Sequence, residues 1–207
     1  MATPFDVPST LPYALPPFGD VRLEHYRPAF EAGMAEQRAE VEAIATDPHA
    51  PTVENTLVAL ERSGQLLTRV SHVFFTLSSA DSTSELHDLE AEVSPLLAAH
   101  RDAITLDSRL YARVQEVLDG AAAAGVTGEA LRLVERTHAE MTLAGAGLDD
   151  AGKERLTAIN QELSTLTTTF ERNLLEDTND SAVHVTSEDE LEAVSYTHLT
   201  LPTILRV

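Results

Sequence analysis

Apolar residues recur every three or four positions along most of this chain, and that spacing constrains the fold more than any other feature. An α-helix takes about 3.6 residues per turn, so side chains three, four or seven apart share one face. In "LEHYRPAFEAGMAEQRAEVEAIA" the positions are Leu23, Tyr26, Phe30, Met34, Val41 and Ile44. In "PTVENTLVALERSGQLLTRVSHVFF" they are Val53, Leu57, Leu60, Leu67, Val70 and Phe74, continuing to Leu77, with Gly64 in the empty place. The pattern repeats in Leu86, Leu89, Val93, Leu97 and Ile104, in Leu131, Val134, His138 and Met141, and in Leu156, Ile159, Leu163, Leu166, Phe170 and Leu174. Only "SAVHV", from Ser181, looks like a short strand. The spacing predicts an all-α fold, and short connections favour an antiparallel helical array. No fixed-period repeat argues for a solenoid.

Residues that start and stop helices punctuate the stripes. Thr52 can cap one start, Ser82 with Glu85 forms a capping box for the next, and Asp107 can cap a short helix after that. A glycine inside a helix costs about 1 kcal/mol relative to alanine, so Gly64 predicts either tight packing or a slight break. "DGAAAAGVTG" reads as a helix end and a flexible turn. In "LAGAGLDD", Gly145 and Gly147 can take the left-handed C-cap conformation, while Asp149 and Asp150 favour a new N-terminus. Pro4, Pro8, Pro12, Pro16 and Pro17 fix φ and remove donors, which predicts an extended arm over residues 1–20, lying along the surface of a helical region over 21–193.

Charge and composition exclude several functions. Lys and Arg number 14 against 34 Asp and Glu, a formal charge of −20 that repels phosphate backbones and anionic membrane surfaces. Nucleic acid and membrane are therefore not expected partners. With no Cys there is no disulfide framework and no thiolate site, which suits the cytoplasm. The opening residues lack a secretory pattern, and no window reaches the ~18 consecutive apolar residues of a membrane span.

The search for chemistry returns absences. None of the eight His is followed by Glu, so the H-E-x-x-H zinc motif does not occur, and no two His stand four apart. A G-x-S-x-G elbow, a glycine-rich phosphate loop and a Cys nucleophile are missing too. Glu90 with Glu92, and Asp149 with Asp150, read as solvated or helix-end charge rather than as acid/base pairs. His72 and His100 read as hydrogen-bonded core or boundary residues. Met34, Phe74 and Met141 read as core. No catalytic or metal-binding residue is assigned, and residue-level reading leaves the substrate-binding residues open.

The segment from "LPYALPPFGDVRLEHYRPAFEAG" to "FFTLSSADST" resembles the N-terminal region of the peptidyl-dipeptidase and oligopeptidase A branch of the thimet-oligopeptidase-like zinc metallopeptidases. The resemblance resumes in "RTHAEMTLAGAGLDDAGKERLTAINQELSTLTTTFERNLLEDTNDSAVHV" and runs to about residue 193, with the bacterial peptidyl-dipeptidases most alike. It implies part of the N-terminal lobe of a two-lobed, mainly helical, monomeric enzyme whose channel admits oligopeptides. It also implies a zinc held by motif residues that fall outside these 207, so the chain by itself is expected to bind no zinc and to be inactive. The segment Val194–Val207, "VSYTHLTLPTILRV", departs from the family and resembles translated adapter read-through at a broken gene end. The alternative is a non-catalytic helical binding or regulatory domain.

Overall fold

A computed structural model describes residues 3–187, except residues 82, 183 and 184. Val183, His184 and Val194–Val207 thus lie outside the described residues, as do Ser82 and the capping box it was expected to form. The chain divides into two compact units, Met1–Thr169 and Phe170–Val207. Its helices are α1 (Leu23–Ala45), a π-helical segment (Val53–Val58), α2 (Ala59–Arg62), α3 (Gln65–Ala80), α4 (Ser84–Thr105), α5 (Ser108–Gly120), α6 (Gly128–Ala144) and α7 (Asp150–Asp180). The fold is all-α: among the described residues there is no strand, and Ser181, Ala182 and Val185 carry none of the strand expected there.

α1 begins and ends where its stripe does, and of that stripe only Leu23 is exposed. The predicted second helix is divided instead. Thr52 caps it reciprocally: its Oγ1 accepts from the Asn55 amide at 3.1 Å and Asn55 Oδ1 accepts from the Thr52 amide at 2.7 Å. The run then stops at Ser63 and restarts after Gly64, whose φ of 71° is left-handed. A Cβ there would come within 2.5 Å of the Gln37 side chain, so both the break and the tight packing are present. The cap of α4 is Thr83, whose side chain accepts from the Leu86 amide at 3.3 Å. Asp107 caps α5 through the Arg109 and Leu110 amides, at 2.8 and 3.2 Å. Gly145 ends α6 with φ 104° and places the Ala146 amide on the Met141 carbonyl, whereas Gly147 keeps an ordinary φ. Asp149 Oδ1 accepts from the Gly152 amide at 2.8 Å and starts α7.

Two apolar clusters fill the first unit. One joins Tyr26, Phe30 and Met34 of α1 to Leu67, Val70 and Phe74 of α3 and to Leu86, Leu89 and Val93 of α4. Phe74 is at its centre, edge-on to Tyr26 and Phe30 with ring centroids 5.1 and 5.3 Å away. The proline-rich segment enters this core, because Phe5 is only 2% exposed and its carbonyl accepts from Arg69 Nε at 2.9 Å. The segment also carries 3-10 turns at Pro12–Ala14 and Phe18–Asp20. The other cluster joins Val41 and Ile44 to Leu57, to Leu110, Val114 and Val117 of α5, and to Val134 and Met141 of α6.

α1 serves both clusters, and its close approach to α3 depends on Gly33. A Cβ at Gly33 would lie 2.8 Å from the backbone nitrogen of Leu67 and 2.9 Å from its Cα. α5 is tied to α1 by Arg109, which donates to Glu42 Oε1 and Oε2 at 2.8 and 2.7 Å and to Asp107 Oδ2 at 2.8 Å. The same helix buries Arg113, whose Nη1 donates to the carbonyls of Asp47 and His49 at 2.7 and 3.2 Å and so closes the loop after α1.

The stripe of α7 behaves unlike the others, for α7 contains no buried residue. In the first unit Ile159, Leu163 and Leu166 are 43%, 54% and 58% exposed, and in the second Phe170 and Leu174 are exposed as well.

Gly33→Ala is expected to destabilise the chain by about 1 to 3 kcal/mol, since backbone atoms must move to admit the methyl group. Gly120→Ala, where a Cβ would meet nothing within 4 Å, should be neutral or slightly stabilising, and urea midpoints of the two variants check the contrast. The Arg109 hydrogen bonds hold Glu42 below the ordinary glutamate value of 4.5. A carboxylate with a depressed folded pKa contributes stability that is fully present above its unfolded value and is lost as pH falls through the folded one. Glu42→Gln should therefore weaken the chain at neutral pH and lose less stability than the wild type below about pH 4.5, read from acid denaturation curves.

Candidate functional site: a cleft walled by α1, α3 and α4

One turn beyond Gly33, α1 places Gln37 against both neighbouring helices. Gln37 Nε2 donates to Ser63 Oγ at 3.3 Å, and Gln37 Oε1 faces His100 Nε2 of α4 at 2.7 Å. A carbonyl oxygen only accepts, so Nε2 carries the imidazole proton. Another turn along, Glu40 Oε2 accepts from the Gly64 amide at 2.7 Å. Most of a polar group's burial cost is recovered when it is hydrogen-bonded, and these bonds do so along the seam between the two apolar clusters.

His100 is 5% exposed, and its Nδ1 is buried without a hydrogen-bond partner. Burial, with the nearby charge of Arg38 adding to it, holds the imidazole below the ordinary histidine value, so it is neutral at pH 7. His100 also lines a cleft of about 450 Å³ with Gln37 and with residues of α3 and α4. The cleft wall follows helical spacing twice, through Thr68, Ser71, His72 and Phe75 on α3 and through Leu97, His100, Arg101 and Ile104 on α4. A second cleft, of about 490 Å³, lies between α4 and the first part of α7. Beside it the buried Asp102 accepts from Asn160 Nδ2 through both oxygens, at 3.0 and 3.1 Å.

The sequence placed His100 correctly as a hydrogen-bonded core residue, but not His72, which is exposed. His72 is two residues past Val70, on the opposite side of α3 from the buried stripe. His138 is half-buried, stacks on Tyr111 with centroids 5.2 Å apart and bonds to Gln115 at 2.6 Å. Met34, Phe74 and Met141 are core residues as expected. Glu90 and Glu92 do not act together, since Glu90 accepts from Ser78 and Glu92 pairs with Arg27. Asp149 is a helix cap.

Sequence reasoning missed Gly33, Gln37 and Arg113. Gly33 had a readable signal, because a glycine three residues after Phe30 stands in the buried register. Arg113 stands three residues after Leu110 in the same way.

Among the described residues no group of three or more His, Asp or Glu side chains converges so as to hold a metal ion. The described residues assemble no zinc site, and no chemistry is routed through one. Nor, among them, is any helix long and apolar enough to cross a membrane. Among the described residues the geometry offers two clefts and the packed helices that wall them.

No protein-family model matches the chain. It is 45% identical over 172 residues to dipeptidyl carboxypeptidase of Escherichia coli K12, a match covering 83% of this chain and 25% of the relative. The Salmonella typhimurium protein of the same name is 44% identical over 81% of the chain and 25% of its own length. Oligopeptidase A of Escherichia coli K12 is 27% identical over 89% of the chain and 27% of its length. The chain thus spans about a quarter of the length of the curated relatives it matches. On this identity and coverage, the chain is homologous to the N-terminal quarter of dipeptidyl carboxypeptidase and, at greater distance, of oligopeptidase A.

Proposed function

We propose that this chain forms part of the helical wall of a zinc metallopeptidase that hydrolyses short oligopeptides and releases dipeptides from their C-termini. The carrying observation is the 45% identity to dipeptidyl carboxypeptidase over 83% of the chain. Dipeptide release is favoured over internal cleavage because identity to oligopeptidase A falls to 27%. On this reading the zinc ligands and the general base come from outside the present 207 residues, which contain no H-E-x-x-H motif, and the helices described here shape the space that substrates enter. The enzyme acts as a monomer in the cytoplasm, on peptides rather than on nucleic acid or membrane.

The uncovered stripe of α7 supports this reading. Apolar residues at helical spacing are ordinarily a buried face, and Leu163 and Leu166, each more than half exposed, have the pattern of a helix that seats on further protein. Gly33, Gln37 and the two apolar clusters would then keep the wall rigid.

The test is a fusion in which residues 1–193 replace the matching quarter of the Escherichia coli dipeptidyl carboxypeptidase. Chelator-sensitive release of dipeptides from an oligopeptide with a free C-terminus is expected from the fusion. The 207-residue chain alone is expected to release none and to retain no stoichiometric zinc after dialysis. Dipeptide release by the chain alone would overturn the proposal, and so would a correctly folded fusion without activity.

A further inference from the structure

His100 is the one residue shared by the cleft of α1, α3 and α4 and by a smaller cleft of about 340 Å³ between α1 and α4. Glu31, Met34, Arg38, Leu96 and Ala99 line the smaller one. The imidazole is thus the partition between the two spaces, and it is held there by a single bond, from Nε2 to Gln37 Oε1 at 2.7 Å. Its Nδ1 is sealed from solvent and has no partner. Neutral, the ring leaves one acceptor unused. Protonated, it carries a charge and a second N–H donor, placed at an atom that faces no acceptor. The charged groups around it do not compensate. α1 presents Arg38 and Glu31, α3 presents His72, and α4 presents Arg101, so Glu31 is the sole carboxylate lining either cleft, against two guanidiniums. Glu40, one turn past Gln37 on α1, is already bonded to the Gly64 amide at 2.7 Å. Asp102, two residues along α4, accepts from Asn160 of α7 through both oxygens.

We propose that His100 is an acid-operated partition: when Nδ1 takes up a proton from solvent, the ring leaves the seam, its contact with Gln37 opens, and the two clefts become one. A buried charge without a counter-charge or a bonded partner is among the costliest groups a fold can hold, and leaving the seam returns the imidazolium to water. Gln37 then loses the partner on its carbonyl and keeps only Ser63, so the polar layer between the two apolar clusters loosens at the same moment. The sign follows from linkage. Burial first, and the Arg38 charge second, hold the imidazole below the ordinary histidine value of 6.5. The closed seam is therefore fully favoured above pH 6.5 and loses ground as pH falls below it, by at most about tenfold in the open fraction per pH unit for one proton. Glu42 and Asp47, whose hydrogen bonds hold them below 4.5 and 3.8, keep their contributions above about pH 4.5, so the range from pH 7 to pH 5 separates the histidine from them. The partition does not depend on the peptidase reading.

The experiment follows the 207-residue chain by NMR between pH 7 and pH 5 and needs neither zinc nor turnover. Two readouts are taken together: the nuclear Overhauser contact between the His100 ring and the Gln37 side-chain amide, and the exchange of the Gly64 amide, which is bonded in the same seam, expressed as a protection factor so that the intrinsic pH dependence of exchange is removed. In the wild type the ring contact is expected to fade in step with protonation of the imidazole, and Gly64 protection to fall about eightfold between pH 6 and pH 5. Amides of Leu110 and Val134, in the second cluster, should keep their protection. His100→Gln retains a donor toward Gln37 and cannot titrate, so its Gly64 protection should change less than about twofold over the same range. A ring that protonates with its Gln37 contact intact would overturn the partition, as would a ring that stays neutral and seated down to pH 5. These two outcomes are read from the wild type alone and hold even if the variant does not fold. A loss of protection as steep in a folded His100→Gln as in the wild type would also overturn it, by assigning the acid response to another group.

Discussion

The approach of α1 to α3 at Gly33 governs the arrangement of the first unit. With no side chain between them, the α1 backbone reaches Leu67 at a distance that leaves no room for a methyl group. That contact sets Phe30 and Met34 against Val70 and Phe74, and it brings Gln37 to the level of Ser63 and His100. Packed interiors are as dense as organic crystals, so a displacement here would be passed to both apolar clusters and to the seam between them. The cleft wall depends on the same contact, because α3 contributes one of its two rows of side chains.

The seam explains why the two clusters are not one. Between Met34 and Val41 the inward positions of α1 include Gln37 and Glu40, whose partners are Ser63, His100 and the Gly64 amide. A fully bonded polar layer rigidifies and fixes register, and a half-bonded one is costly. Gly64 belongs to this layer through its amide as much as through its left-handed φ, and its helix therefore breaks where the two roles meet. Arg113 plays a comparable part on the other side of the second cluster, by gathering carbonyls that α1 and the loop after it leave free.

Much of this was legible in the residues. The Leu23–Ala45 helix was readable to the residue, because its apolar positions keep helical spacing from Leu23 to Ile44, even across the seven-residue step from Met34 to Val41. The break at Gly64 was readable only as a pair of alternatives, because periodicity cannot tell a glycine that admits a neighbour from one that reverses φ. The cap of α4 was misplaced onto Ser82, since Ser82 and Thr83 are equally able acceptors and backbone geometry alone chooses between them. The anchoring of Phe5 could not be read at all, because prolines define local stiffness and say nothing of where a ring will insert. The cleft was illegible for a related reason. Thr68, Ser71, His72 and Phe75 look like an ordinary polar flank until α4 sets His100 and Arg101 against them.

The anchoring of Phe5 orders events in time as well as in space. Its pocket is made of residues from α1 and α3, and the Arg69 bond that holds its carbonyl spans 64 positions of chain. Such a pocket does not exist until the helices have crossed, and closing so long a loop earlier would lose chain entropy with nothing to offset it. Docking of the N-terminal segment thus depends on the contact between α1 and α3 being in place. Withdrawal of residues 3–22 would in turn uncover Tyr26 and free Arg69, so the segment is part of the core it closes.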